Sequence, residues 1–189
     1  MSNEFIEETL KDTEAKMEKT AEILQSDLLT MRTGRASPAL VERLKVEYYG
    51  TAMPLNQLAT ISAPEPRLLV IRPWDISAAA AIEKAILKSD LGLTPSSDGK
   101  IIRLPIPRLT EERRQELVKL VSRRVEEAKV ALRNTRRDSL EELRELEKEK
   151  IISEDEFYQA RDKLQELTDK YNERVEEIGR AKEKEILEV

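Results

Sequence analysis

The sequence predicts an α+β protein in which an elongated three-helix bundle carries a small, β-rich α/β domain inserted after its first helix. Two observations predict this arrangement. All eight prolines lie between Pro38 and Pro107, and four of the five glycines lie between residues 34 and 99. On both sides of that window, apolar residues recur every three or four positions, which is the spacing of an amphipathic helix. Because glycine and proline interrupt helices, the window is expected to fold separately.

The first helix is predicted over residues 3–31. Its apolar positions recur in steps of three and four, so they share one face of a helix with about 100° between successive residues. That face is expected to contain Phe5, Thr9, Leu10, Met17, Ala21, Leu24, Leu28 and Met31.

The second and third helices begin with recognisable capping residues. Thr110 can cap a helix that continues to about residue 149, and Glu111 and Glu112 suit the positive end of its dipole. The third helix opens with Ser153-Glu-Asp-Glu156, which fits a capping box. Its apolar residues then form a coiled-coil-like seam that contains Phe157, Ala160, Leu164, Leu167, Tyr171, Val175 and Ile178.

Each of these helices has one narrow apolar stripe and would be unstable in isolation. The three stripes should therefore be buried against one another in a bundle. We predict that residues 1–31 and 108–189 form this bundle and that residues 32–107 form the inserted domain.

The inserted domain is predicted to contain several short strands and one helix. Residues 44–49, 58–62 and 68–71 have the composition of strands, and residues 100–104 follow the turn signal Asp98-Gly99. A helix over residues 78–88 would be capped by Asp75 or Ser77 and would end near Gly92.

Residues 32–34 and 105–107 connect the inserted domain to the bundle in this prediction. Gly34 permits a positive φ next to Thr33, whereas Pro105 and Pro107 hold the backbone around Ile106 extended. Such segments can act as a hinge or as a stiff elbow that fixes an angle. We assign a hinge to Thr33, Gly34, Pro105, Ile106 and Pro107.

The chain is acidic overall, with a net charge of −5, but one stretch of the second helix is strongly basic. Residues 113–137 include nine basic and three acidic residues. The apolar stripe of this helix contains Leu117, Val118, Val121, Val125, Ala128 and Leu132. A separate arc contains Lys119, Arg123, Lys129, Arg133, Arg136 and Arg137. Because few acids are placed to neutralise this arc through i,i+4 pairs, a polyanion ligand is favoured over a merely solvated face.

Composition argues against an enzyme. The chain has no histidine and no cysteine, so it lacks the usual neutral-pH base, a thiol nucleophile, disulfides and the commonest metal ligands. We predict no catalytic residue, cofactor or metal site. No segment has the length and apolar character of a membrane span, and the acidic N-terminus does not resemble a signal peptide, which favours a cytoplasmic protein.

Two function hypotheses follow from the residues themselves. The first is a helical protein that binds RNA or another polyanion through the basic arc. The second is a protein-interaction scaffold, in which the seam of the third helix pairs with a helix of a partner.

Six short motifs add a further observation: Arg32-Thr-Gly-Arg-Ala-Ser-Pro38, Val46-Glu-Tyr-Tyr-Gly50, Ser89-Asp-Leu-Gly-Leu93, Leu109-Thr-Glu-Glu-Arg-Arg114, Arg133-Asn-Thr-Arg-Arg-Asp138 and Ile152-Ser-Glu-Asp155. In this order and at these spacings, they resemble the ribosome recycling factors. The resemblance implies an L-shaped protein whose two arms imitate the outline of transfer RNA. It also implies that the helical arm binds large-subunit ribosomal RNA. Elongation factor G would then use GTP to push the other arm, which separates the subunits and releases messenger and transfer RNA.

The resemblance also implies which residues contact ribosomal RNA. Matched by position, Arg133, Arg136 and Arg137 correspond to the main RNA-contacting motif of the family. Lys129 stands where some relatives have arginine. Further matching basic motifs contain Arg114, Arg32 and Arg35. We therefore expect a monomer that binds the ribosome and elongation factor G. We expect it to bind neither a membrane nor DNA.

Overall fold

The computed structural model describes residues 3–188, so the predicted domain limits at residues 1 and 189 lie outside the described part. Within that part the order of elements is α1 (Glu4–Leu29), β1 (Lys45–Tyr48), β2 (Thr51–Pro54), β3 (Ala59–Glu65), β4 (Leu68–Pro73), α2 (Ala79–Lys88), β5 (Ser96–Ser97), β6 (Ile102–Pro105), α3 (Glu111–Lys148) and α4 (Glu154–Glu188). Long helices therefore flank a small region of strands, which confirms the predicted α+β class. None of the helices described between residues 3 and 188 is long and apolar enough to cross a membrane.

The described chain divides into two compact units. Unit 1 contains residues 3–28 and 118–184, and unit 2 contains residues 29–117 and 185–188. The predicted domains had their limits at 31/32, where the predicted first helix ends, and at 107/108, shortly before the predicted second helix begins. The division by packing differs because the first two turns of α3 and the last turn of α4 group with the strands.

The helix starts follow the predicted capping signals. The Thr110 hydroxyl accepts a hydrogen bond from the backbone N–H of Arg113 at 3.1 Å. At the start of α4, Ser153 Oγ accepts from the N–H of Glu156, and a Glu156 carboxylate oxygen accepts from the N–H of Ser153, both at 3.1 Å. This reciprocal pair is the capping box that the sequence predicts.

Unit 1 buries one stripe from each of its three helices. On α1 the stripe contains Ile6, Thr9, Thr13, Met17, Ala21, Leu24 and Leu28. The prediction for Phe5 was wrong, since that side chain is 52% exposed and its neighbour Ile6 is buried. The buried positions recur in steps of three and four back from Met17, and that series reaches Ile6 rather than Phe5.

Polar groups also connect the helices of unit 1. The Thr13 and Ser139 hydroxyls, both buried, lie 2.6 Å apart and join α1 to α3. Glu18 on α1 accepts hydrogen bonds from Tyr171 and Arg174 on α4. These groups fix how far one helix is shifted along the bundle axis relative to the next, because a hydroxyl or carboxylate between helices must lie beside its hydrogen-bond partner.

Unit 2 contains a four-stranded antiparallel sheet with the strand order β3-β4-β6-β5 and a separate β1-β2 hairpin. Its core is apolar and includes Leu69, Ile71, Ile102 and Leu104 from the central strands. Helix α2 packs against β1 and contributes Ile82 and Ile86 to this core.

Two strands of unit 2 are missing from the sequence prediction. Strand β2 pairs with β1 across the two-residue turn Tyr49-Gly50, with Tyr48 opposite Thr51. Both turn residues have positive φ, 49° and 75°, as a tight type I′ hairpin requires. Tyrosine is an unusual residue at such a position, so the turn was not recognised and the return strand was missed. Strand β5 has two residues, which is too short to give a pattern.

Candidate nucleic-acid interface

The basic arc of α3 lies opposite its buried stripe. Leu117, Val121, Ala128 and Leu132 are buried, and Val118 and Val125 are half-buried, as predicted. In the arc, Lys119, Arg123, Arg133 and Arg137 are exposed, whereas Lys129 and Arg136 are half-buried. From Val118 onwards the arc belongs to unit 1, so it rests on a packed helix that holds its cations at fixed intervals.

Acidic residues neutralise this arc more than its sequence suggests. Arg133 donates to Glu126 at 3.1 Å, seven residues earlier on the same helix. Elsewhere on the same helix, outside the arc, Arg113 and Arg124 pair with the glutamates three residues later, Glu116 and Glu127. The expectation that acids are too few was based on i,i+4 spacing, and the observed pairs use other spacings.

The cation of Lys129 is only partly accessible and is paired with an acid. Its Nζ lies 2.6 Å from a carboxylate oxygen of Glu176 on α4, and its side chain is only 26% exposed. This hydrogen bond is the main reason that the pKa of Glu176 lies below its ordinary value. The pair connects α3 to α4, so Lys129 has a role in holding the bundle together.

Arg136 and Arg137 are held less tightly. An Nη of Arg136 donates to the side-chain oxygen of Gln165 on α4 at 2.9 Å, and Gln165 in turn donates to Asp169. The Nε of Arg137 lies 3.7 Å from Asp138, in a pair that is about two-thirds exposed. A neutral amide and a distant, exposed carboxylate leave most of the charge of these two guanidinium groups available.

This arrangement can bind a polyanion. A guanidinium group has five N–H donors, and each arginine of the arc uses only part of them in the contacts described above. Exposed ion pairs contribute about 0–1 kcal/mol, so a phosphate group can replace the carboxylate at little cost. The helix then presents arginine forks to successive phosphates without a large rearrangement of its backbone.

The other three predicted RNA-binding residues belong to unit 2. Arg35 is exposed and Arg32 is half-buried, both in the segment that follows α1. Arg114 is half-buried in the first turn of α3, and its Nε is enclosed without a hydrogen-bond partner among the described residues. The structure therefore brings Lys129, Arg133, Arg136 and Arg137 together on unit 1 and places Arg32, Arg35 and Arg114 on unit 2.

The five predicted hinge residues also belong to unit 2, where several are firmly held. Thr33 is buried, and its hydroxyl donates to Glu185 at 3.0 Å. Gly34 has a φ of 83°. Pro105 is the last residue of β6, and the N–H of Ile106 donates to the carbonyl of Arg67 at 2.8 Å, with Ile106 buried in the core. The hinge role of these residues, including Pro107, stays a prediction.

Lys119 and Arg123 were placed in the arc but not among the predicted binding residues. Both are exposed, and none of the ion pairs found among residues 3–188 involves either of them. These two residues are therefore accessible cations of the arc, although none of the six family motifs contains them.

Comparisons with known proteins agree with the arrangement of helices and strands. The profile of the family described as "Ribosome recycling factor" matches residues 24–187. This chain belongs to the ribosome recycling factor family. The match covers the basic part of α3 and all of unit 2 except its last described residue. It confirms the resemblance seen in the six motifs.

Several individual ribosome recycling factors are similar over nearly the whole chain. The protein named ribosome-recycling factor from Carboxydothermus hydrogenoformans is 59% identical over 185 residues, which are 98% of this chain and 100% of the relative. The ribosome-recycling factor from Roseiflexus castenholzii is also 59% identical over 185 residues, which are 98% of this chain and 100% of the relative.

Two solved structures are also similar. A solution structure of a ribosome recycling factor has a TM-score of 0.80 at 47% identity and covers 97% of this chain and 98% of its own. A second structure has a TM-score of 0.69 at 48% identity and covers 99% of this chain and 100% of its own. Its description is of models for the T. thermophilus ribosome recycling factor and the E. coli elongation factor G bound to the E. coli post-termination complex.

The structure disfavours the scaffold alternative. Phe157, Ala160, Leu164, Tyr171 and Val175 of the α4 seam are all buried inside the described chain. A partner helix would have to displace α1 or α3 to reach them. The seam is therefore a core of this protein rather than a surface for another.

Proposed function

We propose that this chain binds the post-termination ribosome through large-subunit ribosomal RNA and, with elongation factor G and GTP, separates the subunits and frees messenger and transfer RNA. The observation that carries the proposal is the set Arg133, Arg136 and Arg137, presented from one face of α3 in a chain that matches the family over nearly its whole length. The solved relative described with elongation factor G and the post-termination complex supports the choice of partners.

The proposed contact is with the RNA backbone. Structured RNA is recognised mainly by shape and by its phosphate and 2′-hydroxyl groups, so a row of cations is sufficient and a base-reading set is not needed. Arginine suits this role because its planar fork can bind two phosphate oxygens at once. Lys129, engaged with Glu176, is assigned to the bundle rather than to the RNA.

The chain would contribute no covalent chemistry. Its task in this proposal is mechanical: a packed helical bundle transmits displacement because its interior has few voids to absorb it. The hydrolysis of GTP would belong to elongation factor G. A protein with this task needs a stable RNA-binding surface on one unit and a surface on the other against which the motor can act.

The residues assigned to the hinge have a narrower role in this proposal. Since Thr33 and Ile106 are buried and hydrogen-bonded inside unit 2, we infer that residues 33–34 and 105–107 form the stiff elbow that the sequence left open. Any bending of the chain would then occur outside these residues.

The test is ribosome cosedimentation with the double variant Arg133→Ala/Arg136→Ala. Each substitution removes a charge-assisted contact, so binding should weaken by about 2–3 kcal/mol in total. The melting temperature should change little, because Arg133 is exposed and half-buried Arg136 makes one hydrogen bond, to a neutral amide. Affinity for the ribosome should also fall with salt, with a log–log slope of roughly −3 to −5 if about five phosphates are contacted.

Arg161→Ala/Lys163→Ala is the matched control, since it removes two exposed cations from α4 outside the arc. This control should bind as the unmodified chain does. Equal loss in both double variants would show that only net charge matters and would contradict a specific arc. A light-scattering assay with elongation factor G and GTP then tests subunit separation directly, and a chain that pellets with large subunits but never splits ribosomes would refute the second half of the proposal.

A further inference from the structure

A second cationic surface lies on unit 2, and none of the seven predicted RNA-binding residues lines it. A groove of about 660 Å³ runs between the start of the β1-β2 hairpin and α2. We call it the α2 groove. Four of its lining residues are basic, Arg43, Lys45, Lys84 and Lys88, and one is acidic, Glu47.

The backbone fixes the spacing of these cations. Lys84 and Lys88 are one helical turn apart on α2, which separates them by about 6 Å along the axis. Lys45 and Glu47 are both exposed on β1, on the side opposite the buried Val46. The floor between the strand and the helix includes Ala81 and Ala85, whose small side chains leave the groove open.

Neighbouring acids do not neutralise the lysines of the α2 groove. None of the ion pairs found among residues 3–188 involves Lys45, Lys84 or Lys88. Arg113, Arg124, Lys129, Arg133 and Arg137 of α3, by contrast, are all paired with carboxylates. Glu47 is the single acid among four cations in this lining, so the lysines repel one another and an anionic ligand reduces that repulsion.

The chemistry of the groove favours a phosphate backbone over an acidic peptide. Protein partners are held mainly by large apolar or aromatic side chains that enter pockets. The apolar lining here consists of Leu44 and the two alanines, which form no such pocket. A nucleic acid strand needs only cations at intervals along its phosphates, and the groove supplies them from two sides.

We propose that the α2 groove binds the phosphodiester backbone of RNA. This gives unit 2 an RNA contact of its own, which depends neither on the arginines of α3 nor on the ribosomal role proposed above. The occupant is a single RNA strand or the edge of an RNA helix, bound without base specificity, because the lining offers cations and no aromatic platform.

Lysine footprinting of the whole chain tests the proposal locally. The native chain is acetylated with an amine-reactive ester, with and without a single-stranded RNA of about 12 nucleotides, a length within the range of known single-strand sites. Acetylation of Lys45, Lys84 and Lys88 should slow about fivefold or more at saturating RNA, since a bound phosphate shields the amine. Lys100, exposed on unit 2 outside the groove, should react at an unchanged rate.

The variant Lys84→Gln/Lys88→Gln provides the second arm. It should abolish RNA protection of Lys45 and, by removing two phosphate contacts, reduce the salt slope of groove binding by about 1.4. Arg72→Gln/Lys100→Gln removes the same charge from exposed sites outside the groove and should leave both readouts unchanged.

Two outcomes would overturn the proposal. One is unchanged acetylation of the three groove lysines at saturating RNA. The other is stronger protection by polyglutamate than by RNA at equal charge concentration, which would assign the groove to an acidic protein segment. Ribosome cosedimentation is measured separately, so loss of the ribosomal role with intact groove protection, or the reverse, tells the two proposals apart.

Discussion

The two units are stabilised in different ways. Among the described residues, five of the six buried polar side chains belong to unit 1: Thr9, Thr13, Ser139, Thr168 and Lys182. Unit 2 buries one, Thr33, and otherwise has an apolar core of strand and helix residues. A bundle of three helices has a narrow interior, so side chains at its margin are partly polar and must find partners across the helix interfaces.

This difference bears on function. Apolar packing specifies which faces meet but tolerates small shifts, whereas a buried hydroxyl pair or an interhelix ion pair specifies a height along the bundle. In the proposed function, the arginines of the basic arc must stay at fixed positions relative to the RNA. Unit 1 would then combine the arc proposed to bind RNA with the contacts that hold the helices in register.

Among substitutions that test this difference between the units, Gly179→Ala in α4 is expected to change the free energy of unfolding most. A Cβ at that position would lie 2.5 Å from Cγ2 of Val125 on α3, so the valine side chain or the two helices would have to shift. We expect the free energy of unfolding to fall by about 2–3 kcal/mol, as overpacking does in other cores. Urea denaturation followed by circular dichroism measures this change.

The double variant Gly179→Ala/Val125→Ala should recover much of the loss, because the methyl group that clashes is gone. In unit 2, Gly92→Ala serves as the contrasting case, since a Cβ there meets no atom within 4 Å but the residue has a φ of 64°. Its cost should be about 1–2 kcal/mol from the backbone alone. Shortening a neighbouring side chain should not restore the stability of this variant. If it did, the loss would come from packing, as in unit 1, and not from the backbone.

A smaller effect is expected from Thr13→Val, which removes a hydroxyl from the interface of α1 and α3. Ser139 would lose its buried partner at 2.6 Å, and an unsatisfied buried hydroxyl costs about 1–2 kcal/mol. Adding Ser139→Ala should recover most of that loss in the same denaturation experiment. If the two substitutions add instead, the hydroxyl pair does not hold the helices in register.

The sequence predicts the long helices and their caps because these depend on local periodicity and on short capping motifs. Thr110 and the Ser153–Glu156 box lie where predicted. Contacts between distant segments could not be predicted in this way. The pair of Lys129 with Glu176 joins residues 47 positions apart, and the α2 groove joins the segment around Lys45 with α2. A single sequence shows the charges but not which of them the fold brings together.

The smallest effect concerns the pH dependence of unit 1. Hydrogen bonds from Arg174 first and then from Tyr171 lower the pKa of Glu18 below that of an ordinary glutamate. The unfolded chain therefore binds a proton at Glu18 at a higher pH than the folded chain does. The resulting stabilisation is present at neutral pH and is lost as the pH falls through the lowered pKa.

Glu18→Gln should accordingly lower the melting temperature at neutral pH and have progressively less effect in acid. Melting curves of the native chain and this variant, recorded by circular dichroism from neutral to acidic pH, should converge at the acidic end. Arg174→Gln removes the same pair from the other side and should reproduce the convergence. A gap between native and variant melting temperatures that is constant with pH would show that the charge of Glu18 does not stabilise the contact between α1 and α4. Shape and packing alone would then set the position of α1 on α4, and the contrast with unit 2 would rest on the hydroxyl pair of Thr13 with Ser139 and on Gly179.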